Sequence, residues 1–185
     1  MAASGTRELL REFRPTILFL IKFIGIYLVG NVLYGLYVTA YDPAPDPATR
    51  WVTLQTARAL DIAGWPATTA DYAHKPTTII LHEGRGIVSV YEGCNGLNVM
   101  VIFMGFVLAF GPMRKAMWWF IPLGILLIHL SNLLRIGLLF LVTLYFPRTL
   151  YFAHKYLFTA FIFLIVFGLW IWWVRKFTNK TGDAK

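Results

Sequence analysis

The sequence predicts an all-α polytopic membrane protein of about four transmembrane helices, with a helix and a β-hairpin inserted between the first two. Three observations predict it. Of 185 residues, 58% are hydrophobic and only 14% charged, whereas soluble domains carry about a quarter charged residues. Several apolar runs approach or exceed the roughly 20 residues that a bilayer crossing needs. The basic residues flank those runs chiefly on one side, so the formal net charge of +8 reads as membrane topology. The lipid bilayer is therefore the expected partner, and nucleic acid is not.

Met1 to Arg14 is polar, and Pro15 suits the first turn of a helix, where its missing N–H costs nothing. The first span is expected at about 16–40. It is too long for a signal-peptide apolar core and no small-residue cleavage site follows, so it reads as a retained anchor. Lys22 can snorkel to the near interface, and Asn31 is a mild polar interruption. The segment 41–93 leaves the membrane. Asp42-Pro43-Ala44-Pro45-Asp46-Pro47 is a stiff linker ending in an N-cap and a Pro at the first helical position. A helix over Ala48 to Ala63 follows, stopped by Gly64 and Pro66, and expected to lie on the bilayer with Trp51 and Trp65 at headgroup level. Thr77 to His82 and Gly86 to Tyr91 are β-rich and joined by Glu83-Gly84-Arg85, which predicts a hairpin leading to Cys94.

The remaining spans are expected at about 95–110, 117–146 and 152–174. As one helix the third would be about 45 Å long, against a hydrocarbon core of about 30 Å. It must tilt, kink or project. Gly111 to Lys115 forms a tight basic turn, Pro147 ends the third run, and the basic tail from Arg175 to Lys185 is expected to be unstructured. Arg7, Arg11, Arg14, Arg114, Lys115, Arg175, Lys176, Lys180 and Lys185 fall on one side. Segment 41–93 sets Arg50, Arg58, Lys75 and Arg85 against six acids. The first side is then cytoplasmic, with both termini, and Cys94 faces out.

Cys94 is the only cysteine, which excludes an internal disulfide and a Cys-rich metal site. It stands in Tyr91-Glu92-Gly93-Cys94-Asn95-Gly96-Leu97-Asn98, where the chain turns from β-structure into an apolar run. Backbone N–H groups at a helix N-terminus would favour its thiolate. His129, Asn132 and Arg135 follow at i, i+3 and i+6, a loose polar stripe on the third span. An arginine in such a run is costly and usually faces a bundle interior or a water-filled cavity. His154 opens the fourth span on the same side. Cys94, Arg135 and His154 thus come from three helices and reach one depth. A thiolate can attack a carbonyl carbon, an imidazole can take the thiol proton and later protonate the leaving amine, and a guanidinium can stabilise the oxyanion.

Each residue also has a plainer reading. Cys94 can be small packing at a span end, Arg135 can snorkel, and His154 can be interfacial. His129 and Asn132 read as interhelical hydrogen bonders, Glu92 as a loop anchor, and His74 and His82 as solvated residues. No metal cluster or phosphate loop is visible, so no cofactor is expected.

Cys94 within Glu92-Gly93-Cys94-Asn95-Gly96 after a β-segment, Arg135 within Asn132-Leu133-Leu134-Arg135-Ile136, and His154 before a last span resemble the exosortase/archaeosortase family, in the family's order. Tyr34, Tyr37 and the Asp-Pro loop resemble its short Bacteroidetes forms, of the exosortase F or X type. Asn95 stands where many members carry a small residue, and the span count is lower than in long members. The resemblance implies a bacterial inner-membrane cysteine transpeptidase or protease, its site facing the periplasm. It would act on exported proteins with a C-terminal sorting signal of motif, helix and basic tail. It implies Cys94 as nucleophile, Arg135 as oxyanion or positioning residue and His154 as acid/base. Asn132, Glu92 and Asn95 are read beside them as supporting residues. The alternative is a non-enzymatic membrane assembly protein for surface protein or polysaccharide export.

Overall fold

A computed structural model describes residues 2–72, 75–110 and 115–178. His74, Arg114 and the chain beyond 178 lie outside them, as does most of the expected basic turn at 111–115. The chain is mostly helical, with one small sheet.

Helix α1 runs from Ala2 to Thr39 and contains Pro15 in its interior rather than at its first turn. A proline there removes one i to i−4 hydrogen bond, and the helix continues through the loss. Helix α2, Pro47–Ile62, is capped as the sequence indicated: the Thr49 amide donates to Asp46 Oδ1 at 3.0 Å, with Pro47 at the first position. Its end is a Schellman motif. Gly64 has φ +94°, its amide donates to Asp61 O at 3.0 Å, and the Trp65 amide donates to Leu60 O at 2.9 Å.

Strands β1 (Thr68–Asp71), β2 (Thr77–His82) and β3 (Arg85–Tyr91) form an antiparallel sheet in the order β1-β2-β3. The expected hairpin is β2–β3. Glu83 and Gly84 have φ of 50° and 76°, so both central residues of the two-residue turn are left-handed. Strand β1 was not anticipated, since it is four polar or small residues with little alternation. Asp71 at its end holds it, through an ion pair with Arg50 at 2.9 Å and a hydrogen bond from Thr78 Oγ1 at 2.9 Å.

After a 3-10 turn over Glu92–Cys94, helix α3 runs Leu97–Ala109. At 13 residues it is about 20 Å long, short of a hydrocarbon core. The expected span at 95–110 loses its start to the turn and its end to Phe110, which is extended. Among the described residues, three helices are long and apolar enough to cross a membrane: Arg11–Thr39, Met117–Tyr145 and Pro147–Lys176. The last comprises a 3-10 turn, helix α5 (Leu150–Phe152), a π-turn over Ala153–Leu157, helix α6 (Phe158–Trp173) and a second π-turn over Val174–Thr178. The chain therefore stays helical past Arg175, where an unstructured tail was expected.

Helix α4, Met117–Tyr145, is the spine. Its first half packs with α3 and α6 around Phe103, Phe120, Ile128 and Trp173. Its second half, with Ile136 and Phe140, packs against α2 and the sheet, around Val52, Leu60, Ile80, Val90 and Cys94. The excess length of the third apolar run is thus absorbed by this second core. Helix α2 is packed on α4 and the sheet through Val52, Ala57 and Leu60. Helix α1 touches chiefly α3, where Phe23 and Ile26 lie over Gly105. Leucines such as Leu28, Leu36, Leu130 and Leu164 stay more than half exposed, an apolar girdle suited to lipid.

Candidate active site

Cys94 lies at the end of the strand–turn segment that feeds α3, only 6% exposed. Three helices pin the turn that carries it. Asn132 of α4 donates from Nδ2 to the Cys94 carbonyl at 2.8 Å. The Tyr34 hydroxyl of α1 donates to Glu92 O at 2.6 Å. Asn95, 1% exposed, takes the Leu97 amide on Oδ1 at 2.9 Å and donates from Nδ2 to Thr49 Oγ1 of α2 at 3.3 Å. Gly96 at φ +84° makes the turn into α3, and a Cβ there would also stand 3.2 Å from Asn132 Nδ2. A side chain at Gly93 would meet the Tyr91 ring at 2.4 Å, so that ring folds over the turn toward the sulfur.

Burial pushes the Cys94 thiol above its ordinary range. Arg135 and hydrogen bonding from the Tyr91 hydroxyl and amide pull it down without prevailing, and the Glu92 charge adds to the rise. The stabilised thiolate expected from a helix N-terminus is not what results. The α3 helix begins only at Leu97, and desolvation of the sulfur outweighs the nearby dipoles. The Tyr91 hydroxyl is also raised, chiefly by the Cys94 sulfur.

Arg135, one turn beyond Asn132, lies within electrostatic reach of both Cys94 and His154. Among the described residues no carboxylate pairs with it. His154 sits in the π-turn, a local widening common at functional sites. Its ring borders a cleft of about 360 Å³, with Ile87 and Ser89 of β3 on one bank and Leu139, Thr143 and Tyr151 on the other. Leu139 and Thr143 continue the Arg135 face of α4 by one and two turns. Cys94 and His154 share no hydrogen bond; Arg135 acts electrostatically on both. Glu92 Oε2 is buried and has no partner among the described residues. None of these residues forms part of a metal-ligating cluster among the described residues.

A sequence model of the transmembrane exosortase family matches residues 7–173. The chain belongs to the exosortase family. No curated protein and no solved structure matches it. The matched region of this exosortase takes in all six residues singled out from the sequence, Glu92, Cys94, Asn95, Asn132, Arg135 and His154.

Other polar residues expected to bridge helices do so: besides Asn132, His129 Nε2 meets Gln55 Oε1 of α2 at 2.7 Å, and its ring stacks on Trp51 at 4.9 Å. His82 is more than a solvated strand residue, since its Nδ1 meets Pro66 O at 2.7 Å and its ring edges Phe140. Sequence reasoning gave Tyr91 no role. Its position, three residues before the sole cysteine and at the end of a strand, was the available signal. Chemically, the arrangement offers a buried thiol with a phenol beside it, a guanidinium without a carboxylate partner among the described residues, and an imidazole that lines an open cleft.

Proposed function

We propose that this chain is a membrane cysteine transpeptidase or protease that cleaves C-terminal sorting signals of exported proteins through a Cys94 thioacyl intermediate. His154 accepts the Cys94 proton and the sulfur attacks the scissile carbonyl carbon. Arg135 stabilises the oxyanion, and His154 returns the proton to the leaving amine. An acceptor nucleophile then releases the acyl group. Because burial raises the thiol's hold on its proton, proton removal by a base belongs to the attack step. Asn132, Asn95 and Glu92 act as positioning residues for the Cys94 turn. The excess of Lys and Arg on the side of the termini supports an inner-membrane protein with cytoplasmic ends and a periplasmic site. The substrate helix would sit in the bilayer beside the bundle.

The observation that carries this reading is Arg135, without a carboxylate partner among the described residues and in electrostatic reach of both Cys94 and His154, the latter lining an open cleft. Cys94→Ala should leave substrate proteins with their C-terminal helix attached; normal processing by that variant would remove the assignment. The burial of Cys94 favours a second reading, a non-enzymatic assembly protein. There Cys94→Ala keeps function, and changes in segment 41–93 abolish it.

A further inference from the structure

Strand β3 is an edge strand, and the outward orientation of its backbone groups follows from β2. Thr77 directs its backbone away from β3: the Tyr72 amide donates to Thr77 O at 2.9 Å, and the Thr77 amide donates to Lys75 O at 2.7 Å. Its partner across the ladder, Tyr91, is therefore in a non-hydrogen-bonded pair, with N–H and C=O turned outward. Two residues earlier Ser89, opposite Ile79, has the same orientation. Among the described residues no other backbone segment pairs with that edge. The cleft that His154 borders runs along it, with Ile87 and Ser89 as one bank. Free edges of this kind are templates for another strand, and proteins usually cover or blunt them.

We infer that the β3 edge is the peptide-binding element of the site: the extended segment that precedes a substrate's sorting helix adds to it as a fourth strand. Strand β3 runs toward Cys94 and then into α3. A substrate whose folded part lies outside and whose helix lies in the bilayer runs the same way, so the pairing is parallel. The Ser89 N–H and C=O hold two peptide groups flanking one substrate residue, and the strand is guided to the sulfur a few residues on. Main-chain bonds supply affinity independent of sequence, and alternate side chains entering the cleft supply the motif preference. This rests on the function proposed above.

Ser89→Pro tests it, because proline removes only an outward N–H at an edge position and leaves the β2 ladder intact. The native host lacking this chain is complemented with variants, and exported proteins retaining an uncut C-terminal helix are counted by mass spectrometry. Ser89→Pro should lower processing about tenfold, the scale of one lost backbone hydrogen bond, while Cys94 labelling by a membrane-impermeant maleimide stays at the parental rate. Parental processing by Ser89→Pro overturns the inference alone; accumulation of nothing by Cys94→Ala overturns the proposed function and this inference with it. A photo-crosslinking residue at 89 in the Cys94→Ala background guards against misfolding of the proline variant. Capture of an uncut protein through the segment just before its helix supports the pairing, and capture through the helix itself contradicts it.

Discussion

Asn132→Leu isolates the bond that fixes the candidate nucleophile. The substitution keeps a side chain of similar length in a site only 1% exposed and removes the donor to the Cys94 carbonyl, now bonded at 2.8 Å. The carbonyl sits in a turn at the junction of both cores, so its lone pair is left dry. Leaving such an acceptor unsatisfied costs about 1–3 kcal/mol. For a chain of this size that is a fall of roughly 2–12 °C in unfolding temperature. Thermal unfolding in nanodiscs reads the stability. A second readout separates positioning from stability alone: the pH profile of Cys94 labelling by a small maleimide. Arg135 and Tyr91 lower the thiol's proton affinity only while the turn holds the sulfur near them. Burial of the sulfur outweighs both, so release of the turn should relieve that desolvation and move the labelling midpoint to lower pH. An Asn132→Leu protein with parental unfolding temperature and parental profile would refute the reasoning.

Other substitutions probe the same arrangement. Arg135→Gln removes the charge that favours the thiolate, so the labelling midpoint should rise and the rate at neutral pH fall, with an intact fold by circular dichroism. Tyr91→Phe should shift the midpoint in the same direction by loss of the phenol bond. Asp46→Ala removes the acceptor for the Thr49 amide and the Tyr37 hydroxyl, tying α2 to α1, and should cost about 0.5–2 kcal/mol in denaturant unfolding. Gly124→Ala would set a methyl 2.1 Å from the Phe103 ring, in the α3–α4 contact, and should cost about 1–3 kcal/mol.

Where local chemistry decides structure, the sequence could be read directly. Asp46-Pro47 and Gly64 mark the ends of α2, and Glu83-Gly84 marks the β2–β3 turn, because caps and left-handed turns depend on few neighbours. Asn132 and His129 were legible as interhelical donors because a polar group in an apolar run must find a partner. Other features depend on distant packing. Strand β1 is held by Arg50 and Thr78 rather than by its own pattern. The short α3 reflects a turn pinned from α1, α2 and α4 through Tyr34, Thr49 and Asn132. The upward shift of the Cys94 thiol comes from its burial among residues such as Val52, Ile80 and Ile136, each distant in sequence. Adjacency to the start of a helix could not reveal that burial.

The account's central claim is a covalent acyl bond to one sulfur. Membranes of the native host, quenched in acid during active export, can be digested and searched by mass spectrometry for peptides joined to the Cys94 peptide. The expected species is a thioester between Cys94 and the new C-terminus of an exported protein that has lost its helix, released by hydroxylamine. Abundant cut substrate with an unmodified Cys94 at every time point would contradict it.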